Sequence, residues 1–278
     1  MQVTIFIITS FLIGCGLPSV RSTPFSIPND SDLLNESALS YLLANEPLRK
    51  NPLRFGIIAD PQGNPGAFGQ VVKHLDQNED LDFVLVLGDI TDFGLIQEYE
   101  WSKAAIKFSK TTPIIVVPGN HDGLGRGKEI FVRMFGSTDL SFIYKGVRFL
   151  LWNNNSLEFG RGFSFDFIQN GISQASFESE KIIIASHMPP SSFKQEQKEN
   201  LASIKWDSAM IEHKERILAS LHGHVHFTSI KNDIPPIATI GIASAGLWGL
   251  TEWDGQQLVL QACHIRATCQ NYPEEKVK

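Results

Sequence analysis

The sequence predicts an α/β protein in which a parallel sheet is laid down first and antiparallel strands are added late. Between residues 53 and 117, short apolar runs alternate with runs of helical period, as βαβ units do. After residue 217, apolar runs follow one another with only turns between them, as antiparallel strands do. At least four of the apolar runs stop in a cluster of Asp, Asn or His, so several polar clusters should converge on one edge of a sheet.

Taken in order, residues 4–14 are mostly apolar and uncharged, and end in Leu12-Ile13-Gly14-Cys15. The run is too short to span a bilayer comfortably and has the form of a secretion-signal core. Its ending resembles a bacterial lipobox, in which the chain is cut before a cysteine that becomes lipidated; no Lys or Arg precedes the run, which departs from that pattern. The expectation is a signal segment over residues 1–14 and an exported lipoprotein held at a membrane through Cys15, facing the periplasm or the cell exterior. Residues 15–52 then form a tether and a leading helix over 31–45, with Asp30 or Ser31 as N-cap and a leucine-rich face (Leu33, Leu34, Leu39, Leu42, Leu43).

The main domain, over residues 53–278, opens with a strand from Leu53 to Ala59 that ends in Asp60-Pro61-Gln62. A helix over 66–78 follows, with Phe68, Val71, Val72 and Leu75 on one face. The run Phe83-Val84-Leu85-Val86-Leu87 has the length and β-branched content of a buried strand, and stops at Gly88-Asp89-Ile90-Thr91-Asp92. After a helix over 96–110, a strand over 113–117 ends in Pro118-Gly119-Asn120-His121-Asp122. A short helix over 125–135, two short strands within 142–152 and a helix over 166–176 come next. The strand Ile182 to Ala185 ends in Ser186-His187, and after a polar helix-and-loop stretch the strand Ile217 to Leu221 ends in His222-Gly223-His224-Val225-His226. Strands over 228–231, 237–242 and 257–265 close the sheet, and 272–278 is a charged tail; Trp206, Trp248 and Trp253 read as core or rim residues, with bordering the cleft the alternative for Trp248 in its glycine-rich loop.

Composition narrows the partners. The hydrophobic fraction of 42% suits a sizeable core, and the formal net charge of -6 argues against broad nucleic-acid binding. Cys263 and Cys269 lie too far apart on one straight strand to bridge; with a turn between them, a disulfide and two free thiols fit the sequence alike.

The strand-end residues Asp60, Asp89, Asn120, His187, His224 and His226 mix oxygen and nitrogen donors, a set suited to manganese, iron or zinc, and include no thiolate. His224 and His226 are one residue apart, so on extended backbone both rings point the same way. Other polar groups have bland readings. Asp122 is a loop cap, His222 a supporting or packing residue, and His74, His213 and His264 surface or packing residues. The glycines at 123, 125 and 127 cradle a phosphate or merely turn the chain, and Asn153, Asn154 and Asn155 line the pocket or form a turn.

Asp60-Pro61-Gln62, Gly88-Asp89-Ile90-Thr91-Asp92, Gly119-Asn120-His121-Asp122, His187 and Gly223-His224-Val225-His226, in this order, resemble the calcineurin-like metallophosphoesterase superfamily. The resemblance implies a four-layer α/β/β/α sandwich of the metallo-dependent phosphatase kind and two divalent ions. One ion would be held by Asp60, Asp89 and His226, with Gln62 as a possible additional ligand; the other by Asp89, Asn120, His187 and His224. It implies a phosphate mono- or diester as substrate, attack by an activated water or hydroxide, His121 assisting the leaving group, and Asp92 orienting His121. The family commonly has histidine where this chain has Gln62, although an Asp-Pro-Gln form occurs in some members. A neutral amide oxygen is the weaker ligand for late divalent ions, so the Asp60 site is expected to be the looser one. A catalytically inactive metal-binding or scaffold protein of the same fold is the alternative, resting on Gln62 alone.

Overall fold

Three strands without a charged side chain on their buried positions start the architecture: β1 (Leu53–Ile58), β2 (Phe83–Leu87) and β3 (Ile114–Val117). They pair in parallel because α2 (Pro65–Asp76) and α3 (Ile96–Ile106) carry the chain back between them. The computed structural model describes residues 23–24, 26–46, 52–77, 81–160, 164–178, 180–192, 200–231 and 235–271. The signal segment expected over residues 1–14, Cys15 and the charged tail lie outside the described residues.

The second half repeats the device. After α4 (Gly127–Phe135), β4 (Leu140–Tyr144) and β5 (Val147–Trp152) form a hairpin, and α5 (Asp166–Glu178) leads to β6 (Lys181–Ser186). Then α6 (Asn200–Glu212) leads to β7 (Ile217–His222), and β8 (Ser229–Lys231) and β9 (Ile237–Thr239) complete the sheet. The chain returns to the first sheet through β10 (Leu247–Trp253), β11 (Leu258–His264) and β12 (Ala267–Asn271). The strand orders are β12-β11-β10-β1-β2-β3 and β4-β5-β6-β7-β9-β8.

The two sheets face each other across an aromatic core. Phe55 stacks on Phe83 at 4.9 Å and Phe142 on Phe149 at 4.9 Å, with Ile57, Leu85, Ile183 and Leu221 around them. On the outer face of the first sheet, Phe68, Val71, Leu75 and Phe131 from α2 and α4 cover Val84 and Val86. On the outer face of the second, Ile168, Ile172, Trp206 and Met210 from α5 and α6 cover Leu150, Ile182 and Ile184. These are the four layers α/β/β/α. Each buried large apolar side chain contributes roughly 2 kcal/mol, so both sheets are held by faces too apolar to be left to water. Among the described residues, no helix is long and apolar enough to cross a membrane.

The leading helix α1 (Leu34–Asn45) starts later than expected. Leu33 sits at φ 47 and no side chain caps the helix, so neither Asp30 nor Ser31 serves as N-cap. Instead Asn35 donates from Nδ2 to Val116 O and accepts from Val116 N, both at 2.8 Å, which closes the open edge of β3. Leu42 enters the inter-sheet core.

Two strands are absent from the sequence reading. β10 is central to the first sheet, antiparallel to β1, and Trp248 on it is buried, which agrees with the core reading and not with the cleft alternative. Glycine disguised this strand: a side chain at Gly249 would lie 2.7 Å from Cδ1 of Ile240, which follows β9, so the position stays bare to admit that side chain. β12 pairs with β11 around the disulfide Cys263–Cys269, which the turn at Ile265 and Arg266 makes possible.

Candidate metal centre

All the carboxylate, amide and imidazole candidates come from the carboxyl ends of β1, β2, β3, β6 and β7, which lie along one rim of the sandwich. The chain must turn sharply there. Asp60 (φ 49), Asp89 (φ 54), His224 (φ 71) and His226 (φ 60) are all in the left-handed region, although none is glycine. The two histidines are thus not on extended backbone, and their rings serve different groups. His224 Nδ1 lies 3.2 Å from His187 Nε2, whereas His226 Nε2 lies 3.5 Å from Asp60 Oδ1.

Two ligand-like groups result, with Asp89 in both: Asp89, His187 and His224, and Asp60, Asp89 and His226, the donor atoms of each lying within 4.8 Å of one another. Asn120 joins the first, its Oδ1 at 3.0 Å from His187 Nε2 and 3.1 Å from His224 Nδ1. His187 Nδ1 faces Leu87 O at 2.8 Å, which turns Nε2 inward, 3.2 Å from Asp89 Oδ2. Gln62 is tied to the same loop by its N–H, which donates to Asp89 O at 3.0 Å. Its Oε1 is buried and has no hydrogen-bond partner among the described residues.

The space around these groups is kept clear by glycine. A Cβ at Gly119 would be driven into Asp89 N and Oδ1, and one at Gly223 would lie 2.8 Å from Asp60 Oδ2. Packed imidazole nitrogens, carboxylate oxygens and two amide oxygens, one of them orphaned, form a donor set that fits divalent cations.

The carboxylates and imidazoles of the rim shift one another's pKa values. Burial opposes a charge on His187, yet the charge and hydrogen bond of Asp89, with the Asp60 charge and the Leu87 carbonyl, together outweigh burial and push its pKa up to about 10. Burial pushes Asp60 up to about 6, against the pull of His187 and with Asp89 adding to the rise. Asp89 is lowered: burial raises it, and the charge and hydrogen bond of His187 more than reverse that. Burial and then the His187 charge depress His224 to about 4, which leaves its ring neutral, the form that binds metal.

His121 stands at the edge of this cluster. Its N–H donates to Asp89 Oδ1 at 3.0 Å, and its Nδ1 lies 2.7 Å from the main-chain oxygen of Asp92. The group that faces the ring is therefore the carbonyl of Asp92, which corrects the expectation that its carboxylate orients His121. The carboxylate instead lies beside Gly63, across a small cleft edged by Pro61 and Trp101. The physical reason is the turn after Asp89, which aims the Asp92 carbonyl inward.

The neighbouring polar residues brace the rim. Asp122 is fully buried and accepts from Thr91 N, Thr91 Oγ1 and Gly119 N at 3.0, 2.9 and 2.8 Å, so it clamps two ligand-bearing loops together. Asn155 Nδ2 donates to Pro118 O at 2.8 Å, while Asn154 Nδ2 donates to Met188 O at 2.8 Å and its Oδ1 accepts from Met188 N at 3.2 Å. These asparagines are braces, and the signal available in the sequence was their position just after an apolar strand. His222 is buried between Ser220 Oγ (2.6 Å) and Ser186 Oγ (3.1 Å), and burial drives its pKa down to about 3, so it stays neutral. The 123–128 loop is packed rather than open: a Cβ at Gly123 would strike Phe159, and Lys128 Nζ donates to Phe159 O at 2.8 Å.

Two facing sheets with helices outside them and this rim of carboxylates and imidazoles define the metallo-dependent phosphatase fold. The chain belongs to the calcineurin-like phosphoesterase family, whose model matches residues 53–227. Membership sets the class: a metal-dependent phosphoesterase, a hydrolase of phosphate esters. Among solved structures, a dimetal phosphatase from Danio rerio is similar at 14% identity with a TM-score of 0.55, covering 79% of this chain and 98% of that one. A purple acid phosphatase from yellow lupin is similar at 15% identity with a TM-score of 0.58, covering 80% of this chain but 53% of its own. GAP50, described as the anchor in the inner membrane complex of Plasmodium, is similar at 13% identity with a TM-score of 0.57, covering 82% and 90%. At these identities the likeness is one of fold. No curated protein matches the sequence significantly.

Proposed function

We propose that the protein hydrolyses a phosphate mono- or diester at a centre of two divalent ions. The observation that carries this is the pair of ligand-like groups sharing Asp89, with the His121 ring held beside them. Asp60, Asp89, His226 and Gln62 would hold one ion, and Asp89, Asn120, His187 and His224 the other; manganese, iron and zinc all suit these donors. Such ions, when bound, supply positive charge to the phosphoryl oxygens and lower the pKa of water so that it attacks near neutral pH.

The chain's own residues do the rest. The Asp92 carbonyl fixes the His121 ring by accepting from Nδ1–H, which leaves Nε2 to carry the proton that the leaving oxygen takes up. Asp122 and Asn155 hold the loops on either side of His121, so the ring and the metal ligands keep one geometry. The Asp60 site is the looser of the two. His226 is half exposed and contacts Asp60 at 3.5 Å, whereas His187 is buried with partners on both nitrogens.

The same fold in the Plasmodium protein is described as an anchor, so the fold alone does not decide between enzyme and scaffold. His121 favours the enzyme, because its ring is aimed and held although it belongs to neither ligand group. The test is manganese-dependent turnover of chromogenic phosphomonoesters and phosphodiesters. Activity lost with chelator and lowered ~10²–10⁴-fold by His121→Ala is the expected result; a folded, manganese-loaded protein that turns over neither ester class would support the scaffold. Manganese titration of the same preparation should show one tight and one weaker equivalent.

The export reading is also proposed. The closed Cys263–Cys269 disulfide supports an oxidising compartment, and the apolar run ending at Cys15 supports a lipid anchor. Membrane association that persists unchanged in Cys15→Ser would refute the anchor.

A further inference from the structure

Next to the ligand-bearing loops lies a concavity to which the reaction described above assigns no role. It is a cavity of ≈ 360 Å³ walled by Pro189, Pro190, Val225, Phe227 and Ile237, with Lys231 also lining it. That volume falls in the range of small-molecule sites, roughly 300–1,000 Å³. Its walls are chain neighbours of three ligand candidates: Pro189 comes two residues after His187, Val225 lies between His224 and His226, and Phe227 follows His226. At about 3.8 Å per residue, Pro189, Val225 and Phe227 each begin within about 8 Å of a ligand's Cα.

The wall is also held open. Phe227 is 58% exposed. Thr239 Oγ1 donates to Phe227 O at 3.3 Å and to Ser229 O at 3.4 Å, and Gly241 N donates to Thr228 Oγ1 at 2.9 Å. These bonds pin the loop to β9, so the aromatic ring stays in solvent beside two prolines and an isoleucine. A lone exposed phenylalanine is ordinary, but one pinned as the wall of a concavity beside a metal rim has the form of a binding surface. Lys231 makes no ion pair among the described residues, so the only formal charge among the lining residues is a cation.

We propose that this cavity seats the organic part of the phosphate ester, and that the group it takes is a mid-sized apolar or aromatic one with an anionic far end directed to Lys231. The inference rests on the phosphoesterase reading and names its substrate class. Apolar walls exclude water from such a group, and an exposed lysine adds preference for an anion without large affinity.

The test uses the full chain and three esters: methyl phosphate, naphthyl phosphate and carboxynaphthyl phosphate. The variants Phe227→Ala and Lys231→Gln are both at exposed positions. Ester reactivity cancels when ratios of kcat/KM are compared between wild type and variant. Phe227→Ala should lower the naphthyl-to-methyl ratio about tenfold, the effect of losing one apolar contact. Lys231→Gln should lower the carboxynaphthyl-to-naphthyl ratio about threefold, as expected for an exposed ion pair. A naphthyl-to-methyl ratio unchanged in Phe227→Ala overturns the proposal. If the wild type turns over none of the esters, the phosphoesterase reading fails separately. Fluorescence titration with hydroxynaphthoate then decides the cavity: saturable binding weakened by Phe227→Ala supports it, and no saturable binding overturns it.

Discussion

Asp60, Asp89, His224 and His226 are four of the six described non-glycine residues with positive φ. A left-handed residue of this kind costs roughly 1–2 kcal/mol, so four of them approach the whole stability of an ordinary domain, ~5–15 kcal/mol. The rim tolerates this because each is tied elsewhere; both oxygens of Asp60, for instance, accept from His224 N at 3.1 and 3.0 Å. Such strain is found where a function needs side chains aimed off the regular lattice of a sheet. The same logic separates Asp92 from His121. Since the carbonyl of Asp92 faces the ring, Asp92→Asn should keep kcat within about tenfold of wild type, well short of the ~10²–10⁴-fold loss expected of His121→Ala. A loss in Asp92→Asn equal to that in His121→Ala would restore the carboxylate to the role the sequence suggested. The residue types at this site were legible in the sequence; which atom of Asp92 reaches His121 was not, because a main-chain carbonyl carries no sequence signature.

At the scale of elements, the strand ends do the positioning and the loops between α2, α3 and β3 keep the strands aligned. Asp76 at the end of α2 accepts from Ser109 Oγ, Lys110 N, Thr111 N, Thr111 Oγ1 and Thr112 N, all at 2.9–3.0 Å. Burial, the largest single influence, raises its pKa, but the N–H groups of Thr111, Lys110 and Thr112 and the Ser109 hydroxyl together outweigh it and hold it well below the usual carboxylate range. A depressed folded pKa means that the stabilisation is present above the unfolded value of 3.8 and lost as pH falls below it. Asp76→Asn should therefore cost about 1 kcal/mol in urea unfolding at neutral pH and flatten the acid limb of the stability curve. Most elements were readable from period and punctuation, as the apolar face of α2 shows. β10 was not, because Gly246 and Gly249 read as loop, and only the neighbouring Ile240 and Ile57 explain a bare strand position.

At the scale of the molecule, the first sheet joins strands from both ends of the chain and the second is built from its middle, and the two meet at one rim, so the centre exists only when both have folded. The folded pKa of His187, about 10, lies above its ordinary 6.5, so its pairing with Asp89 stabilises fully below pH 6.5 and is lost as pH rises towards 10. Ligation needs His187 neutral, so metal binding releases a proton and strengthens with pH. Thermal unfolding should therefore show the Tm of the chelated protein falling between pH 6.5 and 10, with the gap to the manganese-loaded protein widening; a constant gap would show that His187 is not a ligand. The sequence by itself determined the class of fold and the residues of the rim, because apolar period and strand-end polarity are local properties of the chain. Tertiary structure alone decided the pairing of His224 with His187 and of His226 with Asp60, the seat of Trp248, the Asp92 carbonyl at His121 and the cavity beside Phe227. Each of these depends on contacts between segments far apart in the chain, and on turns at positive φ that no periodicity encodes.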